Sequence, residues 1–288
     1  MKLSTDWKDY EVLATGNGEK LERWKDVVLL RPDPQVIWAS NRALDKEPTL
    51  HAHYIRQSTG GGHWKNIKPM KESWVIEYKD LKFLIKPMGF KHTGLFPEQA
   101  VNWDKMIELI KNAGRPIKVL NLFGYTGGAT VACTYAGAEV THVDAARGMV
   151  DRCHDNIRLS GLEEKPIRYI VDDCFKFVER EIRRGKKYDA IIMDPPNYGR
   201  GPKGEIWKLE THLDSFVKTC SQVLSDNPLF VLINSYTSGL QPMVLSNILN
   251  AAFEGGKSEA YEIGIPTNEK NITLPCGCSA MKIWEEKN

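Results

Sequence analysis

Asn121-Leu122-Phe123-Gly124-Tyr125-Thr126-Gly127-Gly128 stands between an apolar run at 118–122 and a segment of helical character at 129–136. A strand, a glycine-rich turn and a helix in that order predict the opening of an α/β layer with a mostly parallel sheet. Outward from this turn the same alternation continues. Strands are predicted at 118–122, 139–143, 167–171, 188–193 and 229–233, with helices at 98–113, 129–136, 147–159, 175–184, 209–224 and 242–252. The last two strands, 260–265 and 279–284, have no helix between them, so the Rossmann-like sheet is expected to end in an antiparallel hairpin. Upstream the rhythm differs. Short strands at 26–30 and 35–39, and a hairpin of 74–78 with 81–85 across Lys79-Asp80, predict a small β-rich domain over 1–88, ahead of a larger domain over 89–288.

Composition narrows the function classes. Of 288 residues 42% are hydrophobic and 26% charged, and 39 Lys and Arg face 37 Asp and Glu for a formal charge of +2. Disordered, collagenous and disulfide-scaffold chains have other compositions. No apolar run approaches the roughly 18 to 20 residues of a membrane span, and the start MKLSTDWKDY lacks the pattern of a signal peptide, so a cytoplasmic protein with no membrane partner is expected. The six cysteines are scattered apart from Cys276-Gly277-Cys278, which predicts reduced thiols and no metal site. The glycine-rich Ser58-Thr59-Gly60-Gly61-Gly62-His63 lacks a following helix and reads as a flexible loop.

In open α/β sheets, ligands bind beyond the carboxyl ends of the strands. Phe123 to Gly128 is not a GxGxxG dinucleotide loop, but its glycines let the backbone approach a ligand; the plain alternative is a tight turn. Asp144, 20 residues after Gly124, ends the second strand, where a carboxylate can accept both ribose hydroxyls or cap the next helix. At the third strand end, Asp172-Asp173-Cys174-Phe175 offers one carboxylate to an adenine amine and the other to a helix cap. Asp173 is assigned to adenine, with Cys174 or Phe175 packing on the ring. The fourth strand ends in Met193-Asp194-Pro195-Pro196-Asn197-Tyr198. Its prolines stop the sheet so that Asp194 and the Pro195 carbonyl can point at an amine, and Tyr198 can stack on a flat acceptor.

These motifs, with the terminal antiparallel pair and Thr93-Gly94-Leu95-Phe96-Pro97-Glu98-Gln99, resemble class I S-adenosylmethionine (SAM) methyltransferases from about Phe90 onward. Within that class they are most similar to the large-subunit rRNA cytosine-C5 and guanine-N7 branch. The resemblance implies SAM as cofactor. Phe96 and Gln99 would lie near its methionine end, Gly124 and Gly127 around it with Phe123, Tyr125 and Thr126 in the same loop, Asp144 on ribose, Asp173 on adenine, and Asp194 at the transfer centre with Pro195 and Tyr198. It also implies RNA, of the rRNA class, as partner. The RNA-binding PUA domain that many members carry in front is not among these residues, which keeps a small-molecule acceptor, or a binding protein without catalysis, as alternatives.

Cytosine-C5 relatives use a cysteine thiolate within a Ser-Cys-Ser after the fifth strand. Here that stretch is Ile233-Asn234-Ser235-Tyr236-Thr237, so direct transfer to a nitrogen or other heteroatom is expected. Cys276 alone could rescue C5 chemistry. Asn197, Asn234 and Tyr236 are secondary acceptor contacts. Arg183-Arg184-Gly185-Lys186-Lys187 reads as a solvated helix end, whereas Lys91, His92, Arg200, Lys203 and Lys208 flank the site loops and can meet phosphates.

Overall fold

The structure, a computed structural model, describes residues 1–57, 61–200 and 206–285. They fall into two units: Met1–Val101 with Ile263–Cys276, and Asn102–Glu262 with Gly277–Asn288. The expected boundary at 88/89 therefore lies inside the first unit.

In the first unit, β1 (Lys2–Leu3) is short, and β2 (Tyr10–Gly16), β3 (Glu19–Trp24), β4 (Val27–Pro32), β5 (Leu50–Arg56) and β6 (Gly62–Asn66) form a sheet in that order. A second hairpin joins β7 (Trp74–Tyr78) to β8 (Leu81–Ile85), as the Lys79-Asp80 turn predicts. The β2–β3 hairpin turns through Asn17 and Gly18, at φ 56° and 80°, the left-handed pair that matches strand twist. Residues 35–39 form no strand. Pro34 is the second residue of a turn in which the Val36 N–H donates to the Asp33 carbonyl at 3.1 Å. Of the expected glycine-rich loop, Ser58, Thr59 and Gly60 lie outside the described residues, and Gly62 and His63 pair with Arg56 and Ile55 as part of β6.

The C-terminal residues of this unit are held by specific bonds. Ile263 and Gly264 pair in parallel with Lys2 and Leu3. Farther along, Glu269 Oε2 accepts from Thr15 N and Oγ1, both at 2.7 Å.

Between β2, β3 and β4 lies a buried charge cluster. Arg31 grips Glu22 through Nε at 2.6 Å and Nη2 at 2.8 Å, Tyr10 OH donates to the same carboxylate at 2.7 Å, and Lys20 meets Asp33 at 3.1 Å. Burial opposes ionisation of Glu22, but the charges of Arg31 and Lys20 and the bonds from Arg31 and Tyr10 outweigh it and hold the carboxyl at about 2. Its contribution to stability is thus complete above the ordinary value of 4.5 and is lost as pH falls through that value toward 2. Glu22→Gln leaves Arg31 without its counter-charge and is expected to cost about 3–5 kcal/mol. Urea unfolding at pH 7 and pH 3.5 checks this: the wild-type to variant gap should narrow at the lower pH.

The second unit follows the predicted alternation. Its elements are α1 (Ala100–Asn112), β9 (Lys118–Leu122), α2 (Gly128–Tyr135), β10 (Glu139–Asp144), α3 (Arg147–Leu159), β11 (Ile167–Val171), α4 (Cys174–Arg183), β12 (Ala190–Met193), β13 (Tyr198–Arg200), β14 (Ile206–Lys208), α5 (Leu209–Ser221), β15 (Phe230–Ser235), α6 (Pro242–Ala252), and the parts up to Glu262 of β16 (Lys257–Pro266) and from Gly277 of β17 (Thr273–Ile283). The sheet order is β16-β17-β15-β12-β9-β10-β11. The pairs from β15 to β11 are parallel, and β17 runs antiparallel to β15. A buried layer of Leu120, Leu122, Ile191, Met193, Val231 and Ile233 packs with Phe177, Phe216, Val217, Leu245 and Leu249 of the helices. Each such side chain contributes roughly 1.5–3 kcal/mol on burial. Registers place Met193 beside both Leu122 and Ile233, and Asp144 beside Val171, so the carboxyl ends of β9, β10, β11, β12 and β15 share one edge. Unforeseen in the sequence is the β13–β14 hairpin, which separates Asp194 from α5 and pairs Tyr198 with Lys208.

Candidate active site

The glycine loop after β9 adopts a conformation that few residues tolerate. Phe123, Tyr125 and Gly127 have φ of 57°, 51° and 83°. Left-handed geometry at the two aromatic residues costs roughly 1–2 kcal/mol each. Asp144 holds the turn there: its Oδ2 accepts from Tyr125 N at 2.9 Å and its Oδ1 from Ala146 N at 2.8 Å. The carboxylate thus ties the first site loop to the approach of α3. Cys174 adds a second brace. Its buried sulfur accepts from Phe123 N at 3.3 Å, and burial pushes its thiol well above the ordinary value. Cys174 therefore supports the loop from below, while Thr126 is anchored by Asn156 Nδ2 donating to its carbonyl at 2.8 Å.

Glycine is required at two points of this loop. A Cβ on Gly124 would fall 2.3 Å from His142 Cε1. That ring is wholly buried and is held by Thr130 Oγ1, 2.9 Å from Nδ1, which in turn accepts from Asn121 Nδ2 at 2.9 Å. Burial lowers His142 to about 4, so the imidazole under Gly124 is neutral near pH 7. A Cβ on Gly127 would fall 2.2 Å from Cys153 Sγ and 3.3 Å from its Cα. Gly127→Ala combines that overlap with a left-handed φ, and is expected to cost about 2–5 kcal/mol as the sum of backbone strain and overpacking. Thermal unfolding measures the loss, and calorimetric titration with SAM should show weakened binding in whatever fraction remains folded.

Asp173 is the N-cap of α4, its Oδ1 accepting from Lys176 N at 3.0 Å. Asp172 pairs with Arg180. The sequence reading gave the cap to the other aspartate of the pair; the extended backbone of Asp173 (φ −63°, ψ 128°) places its side chain over the helix N–H groups instead. Phe175 packs on Phe216 at 4.3 Å and against Trp207 at 5.1 Å, ring centre to ring centre.

At the end of β12, Asp194 is half-buried, Pro195 buried and Tyr198 48% exposed. Trp207 Nε1 donates to the Pro196 carbonyl at 2.5 Å, and Thr237 Oγ1 donates to Asn197 Oδ1 at 2.6 Å. Asn234 is buried in a network with Asn102, Ser279 and Tyr261: Asn102 Nδ2 donates to it at 3.2 Å and Ser279 Oγ at 2.7 Å. Its role is to fix the end of β15, because it is not presented at a surface.

Phe96 and Gln99 belong to the first unit. Phe96 precedes a 3-10 turn over Pro97–Gln99, the Gln99 N–H donates to its carbonyl at 3.1 Å, and its ring lies 5.6 Å from His92. Burial, then the charges of Arg31, Lys91 and Lys20, lower His92 to about 4, and burial with Lys20 lowers Lys91 to about 8. Lys208 heads α5, Lys203 lies outside the described residues, and Arg200 sits in β13. The Arg183–Lys187 segment is a helix end: Gly185 has φ 63°, Arg184 pairs with Glu181 at 3.2 Å and Lys187 Nζ donates to the Gln222 carbonyl at 2.8 Å.

All six cysteines are free. Cys278 lies across from Ser235 in the β15–β17 pair, but it is buried and its thiol is pushed up to about 11. Burial likewise raises Cys276 well above its ordinary value, a rise to which the charge of Glu98 adds. Neither sulfur is a thiolate near neutral pH.

The glycine loop, a strand-end carboxylate with further lone pairs, an aromatic beside the third strand end and an acid-Pro-Pro-Asn-aromatic turn suit an adenosyl cofactor with a sulfonium methyl. Comparison with known proteins agrees. The family model described as S-adenosylmethionine-dependent methyltransferase matches residues 3–212. The chain belongs to that family. Its cofactor is SAM, and its fold is that of the family's structures. A SAM-dependent methyltransferase from Agrobacterium tumefaciens is 34% identical, with a TM-score of 0.90 over 98% of this chain and 92% of that one. The ribosomal RNA large subunit methyltransferase I of Salmonella arizonae is 29% identical over 189 residues, 65% of this chain and 45% of that protein. That of Klebsiella pneumoniae strain 342 is 32% identical over 184 residues, 63% of this chain and 44% of that protein. The match thus spans less than half the length of these curated relatives. Among the described residues, no helix is long and apolar enough to cross a membrane.

Sequence reasoning missed Trp207, His142 and Cys153. His142 had a signal, an imidazole between Thr141 and Val143 in the middle of the strand Glu139–Asp144, and Gly127 pointed to a close neighbour without naming Cys153.

Proposed function

We propose that this chain methylates RNA, of the ribosomal class, at a nitrogen or other heteroatom by direct displacement. The observation that carries the reading is the Asp194-Pro195-Pro196-Asn197-Tyr198 turn, set at the sheet edge between the Phe123–Gly128 loop and the end of β15. SAM, when bound, supplies an electrophilic methyl on sulfur. The chain's own residues do the rest by holding groups in place. Asp144 would hold the ribose, and Asp173, whose Oδ1 caps α4, would offer its other oxygen to the adenine, with Phe175 as an apolar wall. Asp194 would accept a hydrogen bond from the acceptor's N–H or O–H and take up the proton as that atom forms its new bond. Tyr198, exposed beside it, would stack on the base.

Two further features support this reading. The curated relatives carry ribosomal RNA in their names, and Cys276 and Cys278 are protonated thiols, which disfavours the thiolate addition that ring-carbon methylation needs.

The test is transfer of labelled methyl from SAM to total RNA and to a small-molecule extract, followed by nucleoside mass spectrometry of cells with and without the gene. Label in RNA and a nucleoside lost from the deletion strain are expected. Label confined to the small-molecule pool would replace RNA with a small acceptor. Cys276→Ser should keep wild-type turnover; a covalent RNA adduct that depends on Cys276 would restore the ring-carbon alternative.

A further inference from the structure

Trp207 bonds to one loop of the site and packs against two others. From β14 its indole N–H reaches the Pro196 carbonyl at 2.5 Å, inside the acceptor turn. One edge of the same ring meets Phe175 at 5.1 Å and 61°, at the start of α4, and Phe123 lies 6.3 Å away in the glycine loop. His212 stacks on it at 5.5 Å and 27°, and Phe216 closes the cluster at 6.0 Å while touching both Phe123 and Phe175. The same turn also receives the Leu209 N–H on the Asn197 carbonyl at 3.0 Å and Thr237 on the Asn197 side chain, and continues into the pairing of Tyr198 with Lys208.

Pro196 has no N–H of its own and a fixed φ, so the direction of its carbonyl sets the direction of the peptide chain on either side of it. A donor on that carbonyl fixes Asp194-Pro195 on one side and Asn197-Tyr198 on the other. The donor here is a ring whose position depends on Phe175 and Phe123. An adenine ring seated against Phe175 restricts that phenyl, and through it the indole. Aromatic rings at these separations attract one another beyond the area they bury, so a restraint on one ring of the cluster is passed to its neighbours.

Resting on the reading of Asp194–Tyr198 as the acceptor turn, we propose that Trp207 is a positioning residue that makes the order of this turn depend on occupancy of the cofactor pocket. The cofactor then binds first, and the acceptor meets a turn that the cofactor has already fixed.

Trp207→Phe keeps an aromatic in the cluster and deletes the donor. Amide hydrogen exchange at Asn197, Tyr198 and Gly199, with and without S-adenosylhomocysteine, reads the effect without any RNA. In the wild type, saturating S-adenosylhomocysteine is expected to slow exchange at these amides about fivefold to tenfold, the worth of one to one and a half kcal/mol of hydrogen bonding. In W207F, S-adenosylhomocysteine should bind within about threefold of wild type while most of that protection disappears. His212→Ala, which removes the stacked outer face together with the Nδ1 that accepts from the Lys208 N–H at 3.0 Å but leaves the indole donor in place, should keep part of it and guards against W207F failing to fold. Equal protection in W207F and wild type, or none in the liganded wild type, overturns the proposal. No binding of S-adenosylhomocysteine to the wild type overturns the cofactor-site reading itself, a different outcome in the same experiment.

Discussion

Asp194→Asn is expected to slow methyl transfer by about 10²–10⁴-fold, the usual worth of a positioned general base, while SAM affinity stays within about threefold. The substitution keeps the shape of the side chain and removes its charge and its capacity to take up a proton. The place of Asp194 follows from the sheet. β12 is a central strand, paired on one side with β9 and on the other with β15, and all four of its residues are buried. The residue after it must leave the sheet at the carboxyl edge, and the buried Pro195 prevents the chain from continuing the ladder. A half-buried carboxylate there has less competition from water than an exposed one, which strengthens its bond to an approaching N–H. Single-turnover transfer measures the chemical step, and calorimetry of SAM binding serves as the control. A rate for D194N within threefold of wild type would remove Asp194 from the reaction, and equal losses of rate and of SAM affinity would move it to the cofactor.

The alternation of helix and strand was legible because β9, β12 and β15 are short, mostly apolar runs and α3, α4 and α5 each bury a periodic face. β9, β11, α3 and α6 match the expected spans to the residue. The β13–β14 hairpin was not, because three-residue strands such as Tyr-Gly-Arg and Ile-Trp-Lys leave too few positions for an alternating pattern. The first unit was harder for a different reason: β4 is buried at all six positions and β3 mixes charges with apolar residues, so a period of two is hidden. Glu22 and Arg31 look like surface residues in sequence, and their bidentate pairing, with the bond from Tyr10, explains their burial. A usable signal was present in Asn17-Gly18, the most characteristic two-residue hairpin turn. At the carboxyl edge of the sheet, residue types at strand ends single out Asp144 and Asp194 as candidates. The choice between Asp172 and Asp173 turns on backbone angles that no spacing encodes, and Trp207 reaches Pro196 from 11 residues away through a hairpin that was not foreseen.

Asp144→Ala should weaken SAM binding by at least about 10²-fold, because two charge-assisted bonds to ribose, each worth roughly 1.5–3 kcal/mol, would be lost together. The geometry explains how one carboxylate can serve both ligand and fold. Each of its oxygens accepts one backbone N–H, from Tyr125 and from Ala146, and an ionised carboxylate has about four acceptor positions. One remains on each oxygen, matched in number to the two ribose hydroxyls. The same substitution releases Tyr125 N from the loop that holds Phe123 and Tyr125 at positive φ, so the loop is expected to relax even without ligand. Asp144→Asn separates the two contributions. Its single amide oxygen can keep one backbone bond and part of the ribose contact, so D144N should bind SAM more tightly than D144A but more weakly than wild type. Titration calorimetry with SAM gives the affinities, and amide exchange at Tyr125 and Thr126 in the free proteins reports the loop. If D144A binds SAM as the wild type does, Asp144 is only a brace between two loops. If affinity falls while loop exchange is unchanged, the ribose contact carries the whole effect and the left-handed turn is held by its glycines, Cys174 and Asn156.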